Sequence, residues 1–134
     1  CLENLASGWS SRPELFEKLV RKSQAGVTLD IGHARVSPSV KSQQYAFEDF
    51  VCPHYHRVFN AHIYHEELDE GHTPPAKLED VLDRLQLVNS LSCDWWVLEL
   101  REEEALRSTL EVVQQFLNKV PDMQLFHFHG MGLK

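Results

Sequence analysis

The sequence predicts an α/β fold in which four parallel strands alternate with helices. Short apolar runs rich in strand-forming residues alternate along the chain with segments whose apolar residues recur at helical spacing. The chain has 134 residues, of which 43% are hydrophobic and 25% charged, which is typical of a single globular domain. Regular alternation of strands and helices is typical of βαβ units, whose strands are parallel.

The first two strands are the short run at residues 2–5 and the apolar run at residues 27–31. Between them, Ser11 and Glu14 with Pro13 resemble a capping box, which predicts that a helix begins there. The apolar face of this helix consists of Leu15, Phe16, Leu19 and Val20. We expect the helix to end near Gly26, because glycine commonly follows a helix.

The middle of the chain is less regular. Residues 37–50 could hold a helix, but their apolar periodicity is poor, whereas residues 58–64 form a third strand pattern. After a polar loop, a helix is predicted from the apolar stripe of Leu78, Val81, Leu82, Leu85 and Val88. Residues 95–100, with the sequence WWVLEL, are the fourth predicted strand.

The last predicted helix begins at about Glu103. Its inner face is predicted to consist of Leu106, Leu110, Val113, Phe116, Leu117 and Val120. Because proline interrupts helices, we expect Pro121 to end it. Residues 1–120 thus form the α/β unit, and residues 121–134 are an unassigned extension that begins like a strand and then becomes glycine-rich.

Composition excludes some classes of function. No run approaches the roughly 18 apolar residues that a membrane span requires, so we expect no membrane partner. The formal net charge of −7 argues against a broad phosphate-binding surface and hence against nucleic acid. The three cysteines have no metal-type spacing, and we expect a reducing, cytoplasmic setting.

Metal-capable side chains fall at or near the carboxyl end of each predicted strand. They are Glu3, Asp30, His62 and Glu99, separated by 27, 32 and 37 residues, with His33 close behind Asp30. In parallel α/β folds these strand ends share one rim, where ligands bind. Each residue alone could be a cap, an edge residue or a hydrogen-bonded core group. Together, however, several acids in a dry interior require a counter-charge, which predicts a divalent metal site.

The chain resembles the xylose isomerase-like TIM barrels, which include sugar-phosphate isomerases and epimerases and the endonuclease IV type of apurinic endonuclease. The resemblance is carried by LENL, LDIGHA, FNAHIYHEE and VLELREEEALRSTLEVV, which are similar to the fifth to eighth barrel strands. Its most specific pieces are the D-x-x-H of Asp30 and His33 and the E-G-H of Glu70 to His72. It implies that residues 1–120 are the second half of a (β/α)8 barrel.

A half-barrel cannot close, because a complete TIM barrel takes about 250 residues. An open sheet of four parallel strands has an unpaired edge on each side. The first half of the barrel was removed, lies on another chain, or is replaced by a second copy. Because of the open edges, we expect a homo-oligomer or a partner that supplies the missing half-barrel.

By resemblance, Glu3, Asp30, His62 and Glu99 match the metal ligands of the isomerases and epimerases. Mn²⁺ or Mg²⁺ is favoured, and Zn²⁺ is possible. The implied substrate is a small sugar or sugar phosphate. Glu3 and Glu99 would transfer a proton through an enediolate. The residues expected to bind substrate are His33, His65 and His72.

Two alternatives remain open. An endonuclease IV-type phosphodiesterase acting on abasic DNA would hold several zinc ions, and the resemblance then adds His33, Glu70 and His72 to the ligands. The net charge of −7 and the lack of a basic patch favour the isomerase or epimerase over this hydrolase. The third reading is a non-catalytic fragment or a metal-binding half-barrel.

Overall fold

A computed structural model describes residues 1–91 and 93–127 of the chain. In this part of the chain the strands are, in order, β1 (Leu2–Glu3), β2 (Val27–Asp30), β3 (Val58–Ile63), β4 (Glu66–Leu68), β5 (Gly71–Thr73) and β6 (Trp95–Leu98). The order β1-β2-β3-β6 forms one sheet in which all neighbours are parallel. The predicted α/β class with four parallel strands is therefore confirmed.

Helices separate the strands of this sheet. They are α1 (Pro13–Ser23), α2 (Ile31–Val36), α3 (Pro38–Lys41), α4 (Leu82–Ser90) and α5 (Glu103–His127). Helix α2 follows β2 without a loop, which places the start of the helix directly at the carboxyl end of that strand. Among the described residues, every helix is too short or too polar to cross a lipid bilayer.

The core lies between the sheet and its covering helices. Leu29 in β2 and Ala61 in β3 are both fully buried, as are Val20 of α1 and Leu85 of α4. Phe16 of α1 packs against Phe50, with ring centroids 6.1 Å apart. Removing this apolar surface from water is the main favourable term in folding, and it fixes the sheet that carries the polar strand ends.

The start of α1 differs from the prediction. Pro13 is the first helical residue and Arg12 precedes it, with no side-chain cap. Ser11 instead donates a hydrogen bond from its hydroxyl to the Gly8 carbonyl, 2.8 Å away, within a 3₁₀ turn at Trp9–Ser11. The predicted capping box is therefore wrong, because a local turn takes up the serine hydroxyl.

The single helix considered for residues 37–50 is not formed. Helix α3 covers only Pro38–Lys41, and a separate 3₁₀ turn spans Phe47–Phe50. The side chain of Phe50 anchors this turn, because it is buried in the core. A longer helix would need a regular apolar stripe, which this segment lacks. The buried ring of Phe50 holds the segment in place instead.

The last helix is longer than the sequence predicts. Helix α5 continues past Pro121 to His127, so Pro121 does not end it, and residues 123–127 are helical rather than extended. A proline removes one backbone hydrogen bond but can be accommodated within a helix as a bend. The remainder of the unassigned extension, residues 128–134, lies outside the described residues.

The inner face of α5 is narrower than the sequence predicts. Val113 and Phe116 are buried as expected, together with Val112. Three predicted core positions are instead exposed by 37–46%, namely Leu106, Leu110 and Leu117. The described part of the sheet therefore covers only one side of a helix that is apolar on two.

Candidate metal centre

Asp30 and His62 are adjacent because β2 and β3 pair in parallel with these two residues in register. Both lie at the carboxyl end of their strands, where the chain turns away from the sheet. Asp30 is completely buried, and His62 is 15% exposed. The Asp30 Oδ2 atom lies 3.4 Å from His62 Nδ1. Register thus brings together two of the predicted ligands.

The two oxygens of Asp30 have different environments. Oδ1 accepts hydrogen bonds from the backbone N–H of His33 at 2.7 Å and from the Tyr64 hydroxyl at 2.6 Å. Oδ2 is buried and accepts no hydrogen bond. Because the first oxygen is fully used, the second is held in a fixed direction, towards His62 and His33.

Gly32 makes this arrangement possible. It lies between Asp30 and His33 in the first turn of α2. A Cβ atom at this position would overlap the ring of Tyr64. Glycine therefore allows the tyrosine to reach the carboxylate that it orients.

Three carboxylates surround one nitrogen of His62. Its Nδ1 atom lies 2.8 Å from Glu99 Oε2, 3.4 Å from Asp30 Oδ2 and 3.7 Å from Glu3 Oε1. Ligand atoms bound to one divalent ion at its usual bond lengths are about 3–3.5 Å apart. Asp30, His62 and Glu99 form one group close enough together to bind a cation, and Glu3 joins the site through an overlapping group with Asp30 and His33.

The acidic side chains crowded at this site shift the pKa values of their neighbours. The neighbouring Asp30 carboxylate raises the pKa of His62, and the Glu99 and Glu3 carboxylates add to this effect. Burial raises the pKa of Glu3, and the nearby Asp30 and Glu99 charges act in the same direction. A divalent cation would reverse both effects, since it favours deprotonated ligands.

His33 connects this group to a second one. Its Nδ1 atom lies 3.3 Å from Asp30 Oδ2 and 3.5 Å from Glu3 Oε1, while its Nε2 atom lies 3.6 Å from Glu67 Oε2. A second group suited to a cation consists of His33, Glu67 and His72. The two groups therefore adjoin each other at His33.

A hairpin that the sequence analysis did not predict builds the second group. Strands β4 and β5 pair in antiparallel fashion with Glu67 opposite His72, and Glu67 Oε2 lies 2.7 Å from His72 Nε2. The His72 ring stacks on Tyr64, with centroids 3.8 Å apart and planes 3° from parallel. Its Nδ1 atom lies 2.8 Å from the Glu99 carbonyl oxygen. Tyr64 thus supports both groups.

The acidic partner of His72 is Glu67 and not Glu70, which the resemblance had suggested. Glu70 lies in the turn between β4 and β5 and is exposed. None of the three metal-capable groups found in the described part of the chain includes it. A signal for the pairing was present in the sequence: Gly71, whose φ is +126°, follows Asp69 and Glu70 as turn residues between two short polar strands.

His65, which was expected to bind substrate, lies outside all three metal-capable groups in the described residues. Its backbone N–H donates a hydrogen bond to the Thr73 carbonyl at 2.8 Å. Its side chain lines a neighbouring pocket together with Gly32 and Glu67. His65 therefore adjoins the candidate metal centre through Glu67 without belonging to one of its groups.

Unsatisfied polar atoms mark the centre. Four buried side-chain atoms there lie in ion-pair contacts but make no hydrogen bond, namely Asp30 Oδ2, His62 Nδ1, Glu67 Oε2 and Glu99 Oε2. An unsatisfied buried polar atom costs about 1–3 kcal/mol, and more when it is charged. Their convergence is what a site that could hold divalent cations requires, since a cation would pair with all of them.

A cavity opens beside these ligands. It has a volume of about 750 Å³ and lies between the β4–β5 hairpin and the segment that joins β6 to α5. Glu67, His72 and Glu99 line it. This volume lies within the range of small-molecule sites, so the centre is accessible to a small ligand.

Comparison with known proteins shows similarity to one protein of undefined role. No protein-family model matches the chain. The chain is 26% identical over 117 residues to the uncharacterized protein MJ0008 of Methanocaldococcus jannaschii. The match covers 87% of this chain and 50% of that protein, so the chain spans about half the length of the relative.

Replacing Tyr64 by phenylalanine tests how Asp30 is oriented. We expect Tyr64→Phe to weaken Mn²⁺ or Zn²⁺ binding by about 10–100-fold, because it removes the hydrogen bond to Oδ1 but keeps the ring that stacks on His72. Titration calorimetry measures the affinity. Tyr55→Phe, at a side chain that is 59% exposed, is the matched control and should leave the affinity unchanged. Equal affinity in both variants would contradict this role for Tyr64.

Glutamine substitution on the hairpin tests the second group. We expect Glu67→Gln to lower Zn²⁺ affinity at least about tenfold, because it neutralises the only acid of that group. Glu70→Gln removes the same charge from an exposed residue three positions later in the chain, outside the group, and should have no such effect. Competition with a chromophoric chelator provides the measurement. The opposite ranking of the two variants would assign the ligand to Glu70.

Proposed function

We propose that this chain provides the metal-binding half of a TIM-barrel isomerase or epimerase that acts on a sugar or sugar phosphate. Parallel strands in consecutive order, each ending at a metal-capable residue, support this proposal. The observation that carries it is the position of Glu3 and Glu99. They come from the two opposite edges of the sheet and flank Asp30 and His62 on its central strands.

Glu3, Asp30, His62 and Glu99 would hold the ion. A set of three carboxylates and one imidazole suits Mn²⁺ or Mg²⁺, and Zn²⁺ is compatible with it. A bound cation would polarise a carbonyl oxygen and stabilise the negative charge of an enediolate. Three of these ligands, Asp30, His62 and Glu99, each have a buried atom without a hydrogen bond, which supports such an ion.

The acids differ in exposure, which suggests different roles. Asp30 is completely buried and can serve only as a ligand, whereas the side chains of Glu3 and Glu99 are 32% and 42% exposed. Each of these two glutamates can therefore bind the ion and still contact the substrate. In the proposed reaction one removes a proton from the carbon beside the carbonyl, and the other returns a proton on the opposite face.

Two histidines would orient the substrate. His33 and His72 are 14% and 16% exposed, and both adjoin the ligands. Their ring nitrogens can donate to or accept from sugar hydroxyls, depending on the tautomer. Holding the reacting carbon between Glu3 and Glu99 would supply most of the advantage of proximity.

A second candidate is zinc-dependent phosphodiester cleavage. The observation that favours it is the second group, His33, Glu67 and His72, which shares a wall with the first. Two neighbouring cations could clamp both the attacking and the leaving oxygen of a phosphodiester. The net charge of −7 favours the isomerase, because binding of a DNA backbone depends on positive charge.

Hydrogen exchange at carbon tests the proposal. In D₂O with Mn²⁺, we expect the protein to incorporate deuterium beside the carbonyl of a ketose or ketose phosphate, as observed by NMR. Glu99→Gln should slow this exchange about 10²–10⁴-fold, because a general base is lost. Glu104→Gln, which neutralises an exposed acid on α5, is the control.

Metal content measured on the same samples separates loss of the base from loss of the ion. Glu99→Gln protein that retains Mn²⁺ but exchanges slowly supports the role in proton transfer. Absence of exchange in the wild type, together with zinc-dependent nicking of abasic DNA, would establish the second candidate instead.

Self-association is part of the proposal, because β1 and β6 are the edges of an open parallel sheet. Trp95, at the start of β6, is 67% exposed. We expect sedimentation equilibrium to give about twice the chain mass of 15.5 kDa when the protein is alone in solution. A mass of one chain at tens of micromolar would exclude the homodimer.

A further inference from the structure

A second pocket lies beside the metal centre and has no role in the reaction described above. Its volume is about 320 Å³, and it is lined by Gly32, Arg35, His65, Glu67 and Arg84, among others. Glu67 also belongs to the second metal-capable group. One side chain therefore separates this pocket from the metal centre.

Three buried nitrogens in the lining residues make no hydrogen bond. They are Arg35 Nε, His65 Nδ1 and Arg84 Nε. Arg84 is only 5% exposed, so an unpaired donor on it is costly. An arginine Nε–H can only donate a hydrogen bond, and the histidine nitrogen can donate in one tautomer. The three lining residues thus hold buried donors that no acceptor in the described part of the chain satisfies.

The orientation of Arg84 is fixed by its other contacts. Its Nη1 atom donates a hydrogen bond to the Tyr64 carbonyl at 2.8 Å and another to the His65 carbonyl. Burial, together with repulsion from Arg35, lowers the pKa of Arg84 to about 10. Arg35 and Arg84 line the same pocket, so a bound anion there would offset both the burial of Arg84 and its repulsion from Arg35.

Arg35 is also held in place. Its guanidinium carbon lies 4.9 Å from the centre of the Phe47 ring, and its Nη2 atom pairs with the Asp83 carboxylate. These contacts leave the Nε–H of Arg35 without an acceptor. Side-chain entropy is therefore already lost, which favours binding of a ligand there.

The acids near the pocket contact atoms other than the three buried nitrogens. Glu67 Oε2 lies between His33 and His72, at 3.6 and 2.7 Å. Glu66 is 58% exposed and lies 3.6 Å from His65 Nε2. Asp83 pairs with the terminal nitrogen of Arg35. None of these contacts satisfies the three buried nitrogens.

We propose that this pocket binds the phosphate group of the substrate through Arg35, His65 and Arg84. Three separate residues can each donate to a different oxygen of a tetrahedral phosphate, whereas a planar carboxylate has only two oxygens. The identification of the ligand as substrate rests on the proposed function. Since Glu67 adjoins both sites, the sugar would extend from the pocket towards the metal centre.

Binding of inorganic phosphate to protein freed of metal by a chelator tests the pocket itself. We expect titration calorimetry to detect binding to the wild type and a loss of about tenfold or more in Arg35→Gln, because a hydrogen bond to a charged group is removed. Arg107→Gln is the control, since Arg107 is an exposed arginine on α5 paired only with Glu103 in the described contacts. Arg84→Lys, which keeps the charge but loses Nε–H, should also weaken binding.

A folding control distinguishes loss of phosphate binding from loss of structure. Circular dichroism confirms that each variant is folded, and Arg35→Gln provides the test if Arg84→Lys is not. Equal phosphate affinity in the wild type, Arg35→Gln and Arg107→Gln would overturn the inference, as would absence of binding to the wild type.

Comparison of phosphorylated and unphosphorylated sugars tests the link to the substrate. We expect deuterium exchange to be faster with the phosphorylated sugar, and free phosphate to inhibit it competitively. Phosphate binding without exchange of either sugar would leave the pocket standing and reject the isomerase. Exchange that is equal for both sugars and insensitive to free phosphate would reject the pocket as the substrate's phosphate site while the isomerase stands.

Discussion

Complete burial of one carboxylate, that of Asp30, is the constraint on which the site depends. An ionised acid inside a protein costs several kcal/mol unless it is paired and hydrogen-bonded. The chain holds this acid from both sides. The Asn4 side chain bonds to the Asp30 backbone, accepting from its N–H at 2.9 Å and donating to its carbonyl at 2.6 Å. His33 and Tyr64 satisfy Oδ1, which leaves Oδ2 as the one atom that faces the ligands.

Unsatisfied polar atoms form two complementary sets on either side of Glu67. Towards the metal centre they are mostly carboxylate oxygens, and towards the second pocket they are arginine and histidine nitrogens. A cation suits the first set and an anion the second. Opposite charges held close together in a partly buried place attract each other, so occupancy of one site would favour occupancy of the other. A ligand with a phosphate at one end and carbonyl or hydroxyl oxygens at the other would use both.

The architecture explains why the residues meet. The carboxyl ends of parallel strands lie at one edge of the sheet, so the topology alone brings an acid or imidazole at each strand end into a common region. The hairpin of β4 and β5 adds a second layer above this rim, because it places Glu67 and His72 opposite one another. Tyr64 joins the layers, since its hydroxyl bonds to Asp30 and its ring stacks on His72. A single aromatic side chain therefore couples the geometry of the two groups.

The sequence by itself determined the four strands and the residues at their ends, because strand patterns and polar interruptions are local signals. Glu3, Asp30, His62 and Glu99 were identified in this way. Only the tertiary structure decided that Glu67 rather than Glu70 adjoins His72, because this contact depends on the register of the β4–β5 hairpin, which the sequence analysis did not predict. It also decided that Pro121 lies within α5 and that Arg35 and Arg84 share a pocket. Burial and register depend on residues distant in sequence, which periodicity along one segment does not report.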